Sequence, residues 1–385
     1  MAKDPYILTN TIKTALFFLK NINLDYRIPS ITEWAEKNRF LPAGSTEHPG
    51  LWDGSFVPYA LEIQENLHPD STIRMITILK STQSLCTTTI ENAIGHSIAY
   101  GLHNILYIIS DMDMARMRSS YALDALIDFS GLQDKIRPVT KREKQRKSGD
   151  SVYYKELAGG RRFMIASYNA VGKLKSFSWD LIIMDELDEA PPELKGQGDP
   201  ETIIEARGKT IDNLKVVKLS TPSSLSMSRI YQAFMAGDRR EYMVPCPRCG
   251  GFQYLEMMKE GKEYGLYADY RENKNKRLSL VLGSTRYKCR HCGEDFFEAE
   301  KPVFMKEKSV GGLAYWEAQG EAQDLRDRSY HLSAMMSPMT SWTNIISDYL
   351  KTDFGKRVQE YKNFVITNEG LPYIASRIYK PWEEL

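Results

Sequence analysis

Runs of hydrophobic residues bounded by polar residues recur along the chain and predict short strands buried in a parallel sheet. They cover residues 74–79, 104–111, 162–167, 181–184 and 214–222. Apolar residues at helical spacing predict helices at 58–68, 88–100, 114–129, 201–207 and 342–364. Residues 1–30 also have a helical pattern, with Ile12, Leu16 and Leu19 on one face. Together the patterns predict an α/β fold in which helices flank a parallel sheet.

The run at 181–184 is the most informative, because two carboxylates, Asp185 and Glu186, follow it directly. Open α/β sheets bind their ligands at the carboxyl ends of the strands. In a nucleotide hydrolase, Asp185 would hold the water shell of Mg²⁺ and Glu186 would polarise the attacking water. The alternative is a core strand that ends in a solvated Asp-Glu turn.

A loop between a strand and a helix follows the run at 74–79, and this is the setting of phosphate-binding loops. Against the pattern Gly-x-x-x-x-Gly-Lys-Ser/Thr, Lys80 and Leu85 stand at the glycine positions and Cys86 stands at the lysine position. Thr87 matches and could ligate Mg²⁺, while Lys80 could reach back to the β- and γ-phosphates. An ordinary strand-to-helix turn is the alternative. The candidate nucleotide-binding residues are Asp185 and the loop residues Lys80, Ser81, Thr82, Gln83, Ser84, Leu85, Cys86, Thr87 and Thr88.

The strand at 214–222 ends in the small polar sequence Ser220-Thr221-Pro222. Hydroxyl groups at the end of such a strand can sense a γ-phosphate or the attacking water and relay its state to the rest of the protein. A polar turn fixed by Pro222 explains the same residues equally well. The sequence therefore leaves both interpretations open at this point.

Four of the five cysteines form two Cys-x-x-Cys pairs, each followed by a glycine. In a reducing compartment such pairs indicate metal binding rather than disulfides. Four thiolates at this spacing form a closed tetrahedral zinc site with a structural role, because no position remains open for water. His291 lies between two of the ligands and is expected to be a bystander. The predicted zinc ligands are Cys246, Cys249, Cys289 and Cys292.

Composition narrows the possible classes of protein. The 385 residues are enough for two or three domains, and 42% are hydrophobic and 26% charged, as in a globular protein. Apolar runs stay shorter than the ~18 residues that span a bilayer, and the first residues lack a signal peptide's apolar core, so we expect a cytoplasmic protein. The net charge of +1 neither supports nor excludes DNA binding. The basic run 141–150 is either a solvated loop or a loop that contacts DNA.

Short motifs also occur in a fixed order along the chain. They are Trp34-Ala35-Glu36, Pro49-Gly50-Leu51-Trp52, Pro58-Tyr59, Lys80-Ser81-x-Gln83, Met184-Asp185-Glu186-Leu187-Asp188, Gly198-Asp199-Pro200, Arg207, Ser220-Thr221-Pro222, Pro245-Cys246-Pro247-x-Cys249-Gly250 and Asn368-x-Gly370-x-Pro372. In this order they resemble the large terminase subunit of lambda-like tailed phages, the GpA-type family of DNA-packaging motors. The resemblance covers about residues 28–380.

This resemblance implies an additional-strand P-loop ATPase domain followed by a metal-dependent nuclease domain. It implies ATP, Mg²⁺ and Zn²⁺ as cofactors, action in the host cytoplasm, and a homo-oligomeric ring as the active form. The implied partners are double-stranded viral DNA, the small terminase subunit and the portal protein of the procapsid, with no membrane. Asp185 would be the Walker B aspartate, Glu186 the catalytic glutamate, Thr87 the P-loop hydroxyl, and Ser220-Thr221-Pro222 the coupling motif.

The chain departs from the family pattern in two places. Many relatives have Gly-Lys where this chain has Leu85-Cys86, so the phosphate role is assigned to Lys80, as in some lambda-like members. The family's nuclease domain begins after the Asn-x-Gly-x-Pro motif, but only 13 residues follow Pro372 and none is an aspartate. We therefore expect no endonuclease activity from this chain. Arg207 and Arg116 are the candidates for an arginine that completes the site.

The expected organisation is an N-terminal helical arm, a P-loop ATPase core, a zinc-ribbon insertion, and a helical C-terminal segment with a linker. These parts are assigned to residues 1–55, 56–240, 241–300 and 301–385. Two other functions stay open. One is a helicase-like ATPase with the same core, and the other is a catalytically weak scaffold that binds DNA through the zinc ribbon.

Overall fold

The computed structural model describes residues 27–373, apart from 45, 47, 138–149, 152–153, 171–176, 195, 197 and 275. The predicted N-terminal helix, nearly all of the basic run 141–150, and residues 374–385 lie outside the described part. Residues Met1–Ser30 form one unit and Ile31–Leu385 the other, and the described helices and strands all belong to the second unit. In the described part of the chain, no helix has the length and apolar character that crossing a membrane requires.

Most of the strands belong to one large central sheet. In chain order, the described strands are β1 (Phe40–Leu41), β2 (Gly50–Leu51), β3 (Met75–Lys80), β4 (Ile105–Ile109), β5 (Asp150–Ser151), β6 (Tyr154–Glu156), β7 (Arg162–Ser167), β8 (Leu181–Asp185), β9 (Lys215–Ser220), β10 (Arg240–Pro245), β11 (Phe252–Gln253), β12 (Gly265–Tyr267), β13 (Tyr270–Glu272), β14 (Leu278–Leu280), β15 (Arg286–Lys288), β16 (Asp295–Phe296), β17 (Tyr315–Ala318) and β18 (Asp327–Leu332).

The central sheet has the strand order β11-β10-β18-β3-β9-β8-β4-β7-β6-β5, and β17 pairs with β10. Neighbouring strands from β10 to β7 run parallel, and the two edges are antiparallel. Strand β9 lies between β3 and β8. It is the additional strand that the fold prediction requires. Its register pairs Ser220 with Leu79 and Leu219 with Asp185. Lys80, Asp185 and Ser220 therefore reach the same carboxyl edge of the sheet.

Helices cover both faces of this sheet. The described helices are α1 (Ile31–Asn38), α2 (Leu61–Leu67), α3 (Cys86–Tyr100), α4 (Met112–Met117), α5 (Asp124–Phe129), α6 (Pro200–Glu205), α7 (Arg229–Ala236), α8 (Lys301–Phe304), α9 (Trp342–Lys351) and α10 (Val358–Phe364). In β8, Leu181 and Ile183 pack into one core, while Ile182 and Met184 pack into the core on the other face. Burial on both faces explains why this strand is a continuous apolar run. The predicted fold class is confirmed.

The five predicted helices all differ from the structure in bounds or continuity. The one predicted at 58–68 starts with a 3-10 turn at Pro58–Ala60 before α2, and the one predicted at 201–207 is observed as α6. The helix predicted at 88–100 begins at Cys86, and the one predicted at 114–129 consists of α4, a π-helical turn at Arg118–Leu123, and α5. The helix predicted at 342–364 is wrong as a single element, because Asp353, Phe354 and Gly355 adopt left-handed backbone angles between α9 and α10. The C-terminal segment also contributes β17 and β18 to the central sheet, besides its helices.

The cysteine region forms a small β structure. Strands β12, β15 and β16 make a three-stranded sheet, and β13 pairs with β14. Tyr287 and Phe296 of this sheet contact the ring of Trp342 in α9, and Phe296 also contacts Phe304 of α8 edge to face. The small sheet therefore shares its apolar core with the C-terminal helices.

Candidate nucleotide site

The ends of three neighbouring strands bring together four residues that the sequence singled out. Lys80 ends β3, and its Nζ lies 2.9 Å from Oε1 of Glu186, directly after β8. Ser220 ends β9, and its Oγ lies 3.4 Å from Oε2 of the same glutamate. Asp185 is buried beside them. Parallel pairing of β3, β9 and β8 produces this cluster from positions far apart in the sequence.

The loop after β3 has a strained backbone and a partly used set of amides. Gln83 and Leu85 both have positive φ angles, 55° and 56°, a conformation that costs a residue with a Cβ about 1–2 kcal/mol. The amides of Ser81 and Thr82 donate to the carbonyls of Leu332 and Thr367, at 2.7 and 3.0 Å. Those two amides are therefore engaged by the C-terminal segment of the chain.

Helix α3 begins at Cys86 with Leu85 as its N-cap residue, and no side chain caps it. The first amides of a helix have no partner within the helix, and with the helix dipole they favour an anion. Cys86, Thr87 and Thr88 form this first turn and line a cavity of about 630 Å³. Its other polar lining residues are Arg39, Thr46, Lys80, Gln83, Ser84, Glu91, Arg118 and Tyr121.

A smaller and more apolar cavity of about 230 Å³ adjoins the first. The two share Leu41, Thr46, Leu85, Thr88 and Met339, and the smaller one is also lined by His48, Pro49, Leu51, Trp52, Asp53, Phe56 and Val57. A polar cavity next to an aromatic one suits a ligand with an anionic end and a flat apolar end. A nucleotide has this chemistry.

Asp185 is held by donors on both carboxylate oxygens. Its Oδ2 accepts hydrogen bonds from the hydroxyl of Tyr107 at 2.5 Å and from Nη2 of Arg118 at 2.8 Å, and its Oδ1 accepts from the amide of Glu186 at 3.0 Å. Burial, and then the charge of Asp185, raise the pKa of Tyr107 well above its usual range. The phenol therefore remains a donor, and the carboxylate is fixed in orientation.

Lys80 keeps its positive charge in spite of its burial. Desolvation alone would lower the pKa of Lys80, but the opposite charge of Glu186, followed by that of Asp185, raises it above the ordinary value. Burial raises the pKa of Cys86 to about 12. Lys80 therefore supplies the positive charge of this loop, and Cys86 a neutral thiol.

The segment Ser220-Thr221-Pro222 is connected to the acidic strand end through Asp188. The amide of Asp188 donates to Oγ of Ser220 at 3.3 Å. Its carboxylate accepts from the amides of Ser223 and Ile230, at 2.6 and 2.8 Å, after β9 and in α7. Of the motif itself, Ser220 contacts Glu186, while the carbonyl of Thr221 accepts from Ser220 at 2.8 Å.

Sequence reasoning missed four residues of this site. Tyr107 is a polar interruption of an aliphatic strand, which is a local signal, but no local pattern marks Arg39, Glu91 or Arg118. The two arginines proposed from sequence do not line the larger cavity. Nε of Arg207 donates to the carbonyl of Ile203, and Arg116 is exposed on α4. Among the described arginines, Arg118 is the one bonded to Asp185.

The four cysteines of the two pairs come together in the structure. Their sulfur atoms all lie within 4.8 Å of one another, and the pairs Cys246–Cys292 and Cys249–Cys289 are each separated by 3.9 Å. Tetrahedral zinc with bonds of ~2.3 Å requires sulfurs about 3.8 Å apart. The amides of Arg248 and His291 point at sulfurs. The ring of His291 bonds instead to the carbonyl of Phe252 at 2.8 Å.

The glycine after each pair has the conformation that the turn requires. Gly250 and Gly293 both have a φ of 74°, in the left-handed region that glycine adopts at no steric cost. Their amides donate to the carbonyls of Cys246 and Cys289, at 2.9 and 3.1 Å. The donor set and its spacing fit a zinc ion.

A parallel sheet with an additional strand between a phosphate loop and an acidic strand end defines a P-loop ATPase of the additional-strand class. A family model for the phage terminase large subunit gpA, ATPase domain, matches residues 46–311. The chain therefore belongs to the family of phage terminase large subunits of the gpA type, and it contains their ATPase domain.

Two individual relatives support the assignment to this family. The chain is 25% identical over 377 residues to the terminase large subunit of Enterobacteria phage P21, and 24% identical over 371 residues to that of Escherichia phage lambda. These alignments cover 94% and 92% of this chain and 54% of each relative. The chain thus spans about half the length of the curated relatives it matches.

Two solved structures are similar to this chain at a lower level. The large terminase ATPase domain of Thermus phage P74-26 is 12% identical, with a TM-score of 0.42, covering 81% of this chain and 91% of that one. The large terminase of bacteriophage HK97 is 18% identical, with a TM-score of 0.39, covering 54% of this chain and 40% of that one.

Proposed function

We propose that this chain is the ATPase part of a viral DNA-packaging motor, which hydrolyses ATP to drive double-stranded DNA into a procapsid. The observation that carries the proposal is that Lys80 lines the cavity at the first turn of α3 and bonds to Glu186, which directly follows Asp185 at the same edge of the sheet. Phosphoryl transfer from ATP requires a cation for the phosphates, a carboxylate for the metal and a second carboxylate for the water, all near the N-terminus of a helix.

In this proposal each residue has a defined role. Lys80 and the amides of Cys86, Thr87 and Thr88 bind the phosphates, and Asp185 with the hydroxyl of Thr87 holds Mg²⁺. Bound Mg²⁺ would neutralise charge that develops on the phosphate oxygens. The loop residues from Ser81 to Leu85 shape the pocket around them. The adjoining aromatic cavity would receive the base.

Glu186 is the proposed acceptor for the proton of the attacking water. Hydrolysis forms a bond between the water oxygen and the γ-phosphorus and breaks the bond to the β,γ-bridging oxygen, and the proton released requires a base. Glu186 bonds to Lys80 through Oε1 and to Ser220 through Oε2. When Lys80 turns to the phosphates, one carboxylate oxygen becomes available to the water.

Ser220, Thr221 and Pro222 are the proposed coupling residues. Ser220 touches both Glu186 and the amide of Asp188, and Asp188 in turn holds the start of α7. A change in the position of Glu186 during hydrolysis would therefore be passed to α7 through three successive hydrogen bonds. These contacts support a relay from the γ-phosphate to α7.

The remaining parts of the proposal concern the assembled motor. We infer one zinc ion at Cys246, Cys249, Cys289 and Cys292, and a division into an arm at 1–55, a core at 56–240, a ribbon at 241–300 and a C-terminal segment at 301–385. The chain would act in the host cytoplasm as a ring, together with the small terminase subunit and the portal protein.

The test is steady-state ATP hydrolysis, with and without double-stranded DNA, for the chain and for Glu186→Gln. The variant should bind ATP and lose turnover by about 10²-fold or more, because glutamine cannot accept the proton. Glu189→Gln is the matched control, since Glu189 is exposed one turn away, and it should keep full turnover. Equal turnover of the chain and Glu186→Gln would refute the assignment. ATP binding without turnover in the chain itself would favour a scaffold that binds DNA.

A further inference from the structure

We propose that Arg118 competes with the catalytic metal for Asp185 and transfers to the phosphates when a metal nucleotide binds. Arg118 would thus be a nucleotide-responsive arginine supplied by the same chain. The inference rests on the proposed function, because the ligand is taken to be a nucleoside triphosphate. The geometry that carries it is a guanidinium shared between two carboxylates at the wall of the 630 Å³ cavity.

Arg118 occupies the oxygen of Asp185 that a hydrated cation would need. Its Nη2 lies 2.8 Å from Oδ2 of Asp185, and its Nη1 lies 3.3 Å from Oε1 of Glu91. The other donor to Oδ2 is the hydroxyl of Tyr107, and the guanidinium lies over the Tyr107 ring, 5.4 Å from its centroid. A cation near Oδ2 and the positive Arg118 repel each other, so binding of one disfavours the other.

The fold keeps Arg118 within reach of the phosphates. Arg118 is the first residue of the π-helical turn after α4, and such turns re-aim side chains at functional sites. Its partner Glu91 lies one turn after Thr87 on α3, so both project from the same face of the helix. When Arg118 leaves Asp185, the bond to Glu91 holds it beside the turn where the phosphates are proposed to bind.

Arg39 provides a second donor set on the same wall. Its Nη2 bonds to Oε2 of Glu91 at 2.8 Å, while its Nε and Nη1 are buried without a hydrogen-bond partner. A buried guanidinium with unmet donors next to a cavity is suited to an anionic ligand. Glu91 thus forms ion pairs with two arginines, and both arginines line the cavity.

Charge balance favours an exchange of partners. Lys80, Arg39 and Arg118 are matched by Glu186, Glu91 and Asp185. ATP without a metal can bond only to the donors of Arg118 that Asp185 and Glu91 leave free, because moving the guanidinium away would leave a buried carboxylate without its cation. A nucleotide with its bound metal carries both negative and positive charge. The metal can therefore replace Arg118 at Asp185, while Arg118 and Lys80 bind the phosphates.

The experiment compares the zinc-loaded chain with Arg118→Ala in two binding measurements. One follows Mn²⁺ alone by electron paramagnetic resonance, and the other follows ATP in the presence of EDTA by calorimetry, with the zinc content verified afterwards. We expect Mn²⁺ to bind about tenfold tighter and ATP about tenfold weaker, each reflecting one charge-assisted bond. A purely structural clamp would weaken both. Arg161→Ala is the matched control, because Arg161 pairs with Asp180 outside the cavity, and it should change neither affinity.

Arg118→Lys covers the case in which the alanine variant does not fold. Lysine keeps the charge but lacks the fork that bridges two carboxylates, so both affinities should move in the same directions by a smaller factor. Weaker binding of both ligands, or no change in either, would overturn the inference about Arg118. Failure of the unmodified chain to bind ATP at all would instead overturn the nucleotide site, and this inference with it.

Discussion

In the proposed site, Lys80 replaces a lysine that the phosphate-loop pattern has at a different position. Cys86 stands where the phosphate-loop pattern has lysine, and burial keeps its thiol neutral. The ammonium of Lys80 reaches the same region from the end of β3, where it contacts Glu186. The strained backbone of Leu85 occupies the position that usually carries glycine, which is consistent with a loop whose shape is retained although its residues differ.

Replacing Lys80 by methionine should abolish tight nucleotide binding. The substitution keeps the length of the side chain and removes its charge, so each phosphate contact of the ammonium is lost, at about 1.5–3 kcal/mol per bond. ATP affinity, measured by calorimetry, should therefore fall by at least about tenfold. Lys155→Met is the matched control, since Lys155 is also buried and pairs with Asp124 at 3.0 Å outside the cavity. Both variants should lose stability, but Lys155→Met should bind ATP normally. If Lys80→Met binds ATP normally, the loop after β3 is an ordinary strand-to-helix turn and not a phosphate-binding loop.

At the scale of elements, the segment 365–371 closes the base of the phosphate loop. The carbonyl of Thr367 accepts from both the amide and the hydroxyl of Thr82, at 3.0 Å each, and the carbonyl of Asn368 accepts from Ala334 at 2.8 Å. The sequence interpretation treats Asn368 to Pro372 as a linker after the predicted helix, but Asn368 and Glu369 still belong to a π-helical turn that continues α10. It misses that these residues are buried against the loop.

Gly370→Ala should therefore disturb the nucleotide site as well as the stability. Gly370 has a φ of 69°, and a Cβ there would lie 2.7 Å from the amide nitrogen of Ser81 and 2.9 Å from the carbonyl oxygen of Leu332. Backbone atoms on both sides cannot yield, so the loop itself must shift. We expect a drop in melting temperature, measured by calorimetry, together with weaker ATP binding.

Gly355→Ala separates the loss of stability from the effect on ATP binding. Gly355 also has a positive φ, 93°, but the nearest atoms to its Cβ would be side-chain carbons of Tyr361 at 3.8 Å or more. This variant should lose about 1–2 kcal/mol of stability from the left-handed conformation alone and keep its ATP affinity. If both variants bind ATP equally well, the segment 365–371 does not support the phosphate loop.

The elements that could be predicted from sequence are those whose local pattern follows from burial. Strand β8 is apolar throughout because both of its faces are covered, and its terminal carboxylates mark the sheet edge. The π-helical turn at Arg118–Leu123 leaves the spacing of apolar residues close to that of one helix, so the sequence predicts one continuous helix in place of α4 and α5. Contacts such as Arg118–Asp185 and Thr82–Thr367 join residues 67 and 285 positions apart, and no local pattern encodes them.

At the scale of the whole molecule, the cysteine region is part of the main core rather than a separate appendage. Tyr287 and Phe296 pack with Trp342. Nζ of Lys259, which precedes β12, lies 2.7 Å from the buried carboxylate of Glu369. Glu369 belongs to the segment that closes the phosphate loop. The cysteine region is therefore connected to the proposed nucleotide site through shared packing and the Lys259–Glu369 ion pair.

The purified chain should contain about one zinc ion, and removal of one ligand should destabilise the whole unit. Cys249→Ser should lose the metal, measured by elemental mass spectrometry, and unfold at a lower temperature, because zinc binding contributes directly to folding free energy. Cys86→Ser makes the same atom exchange in the cysteine outside the cluster, so it should keep its zinc. Since the ribbon shares the core of the C-terminal helices, a single cooperative transition should shift in Cys249→Ser. A metal-free chain with an unchanged melting temperature would contradict the zinc site. An early separate transition would contradict the shared core.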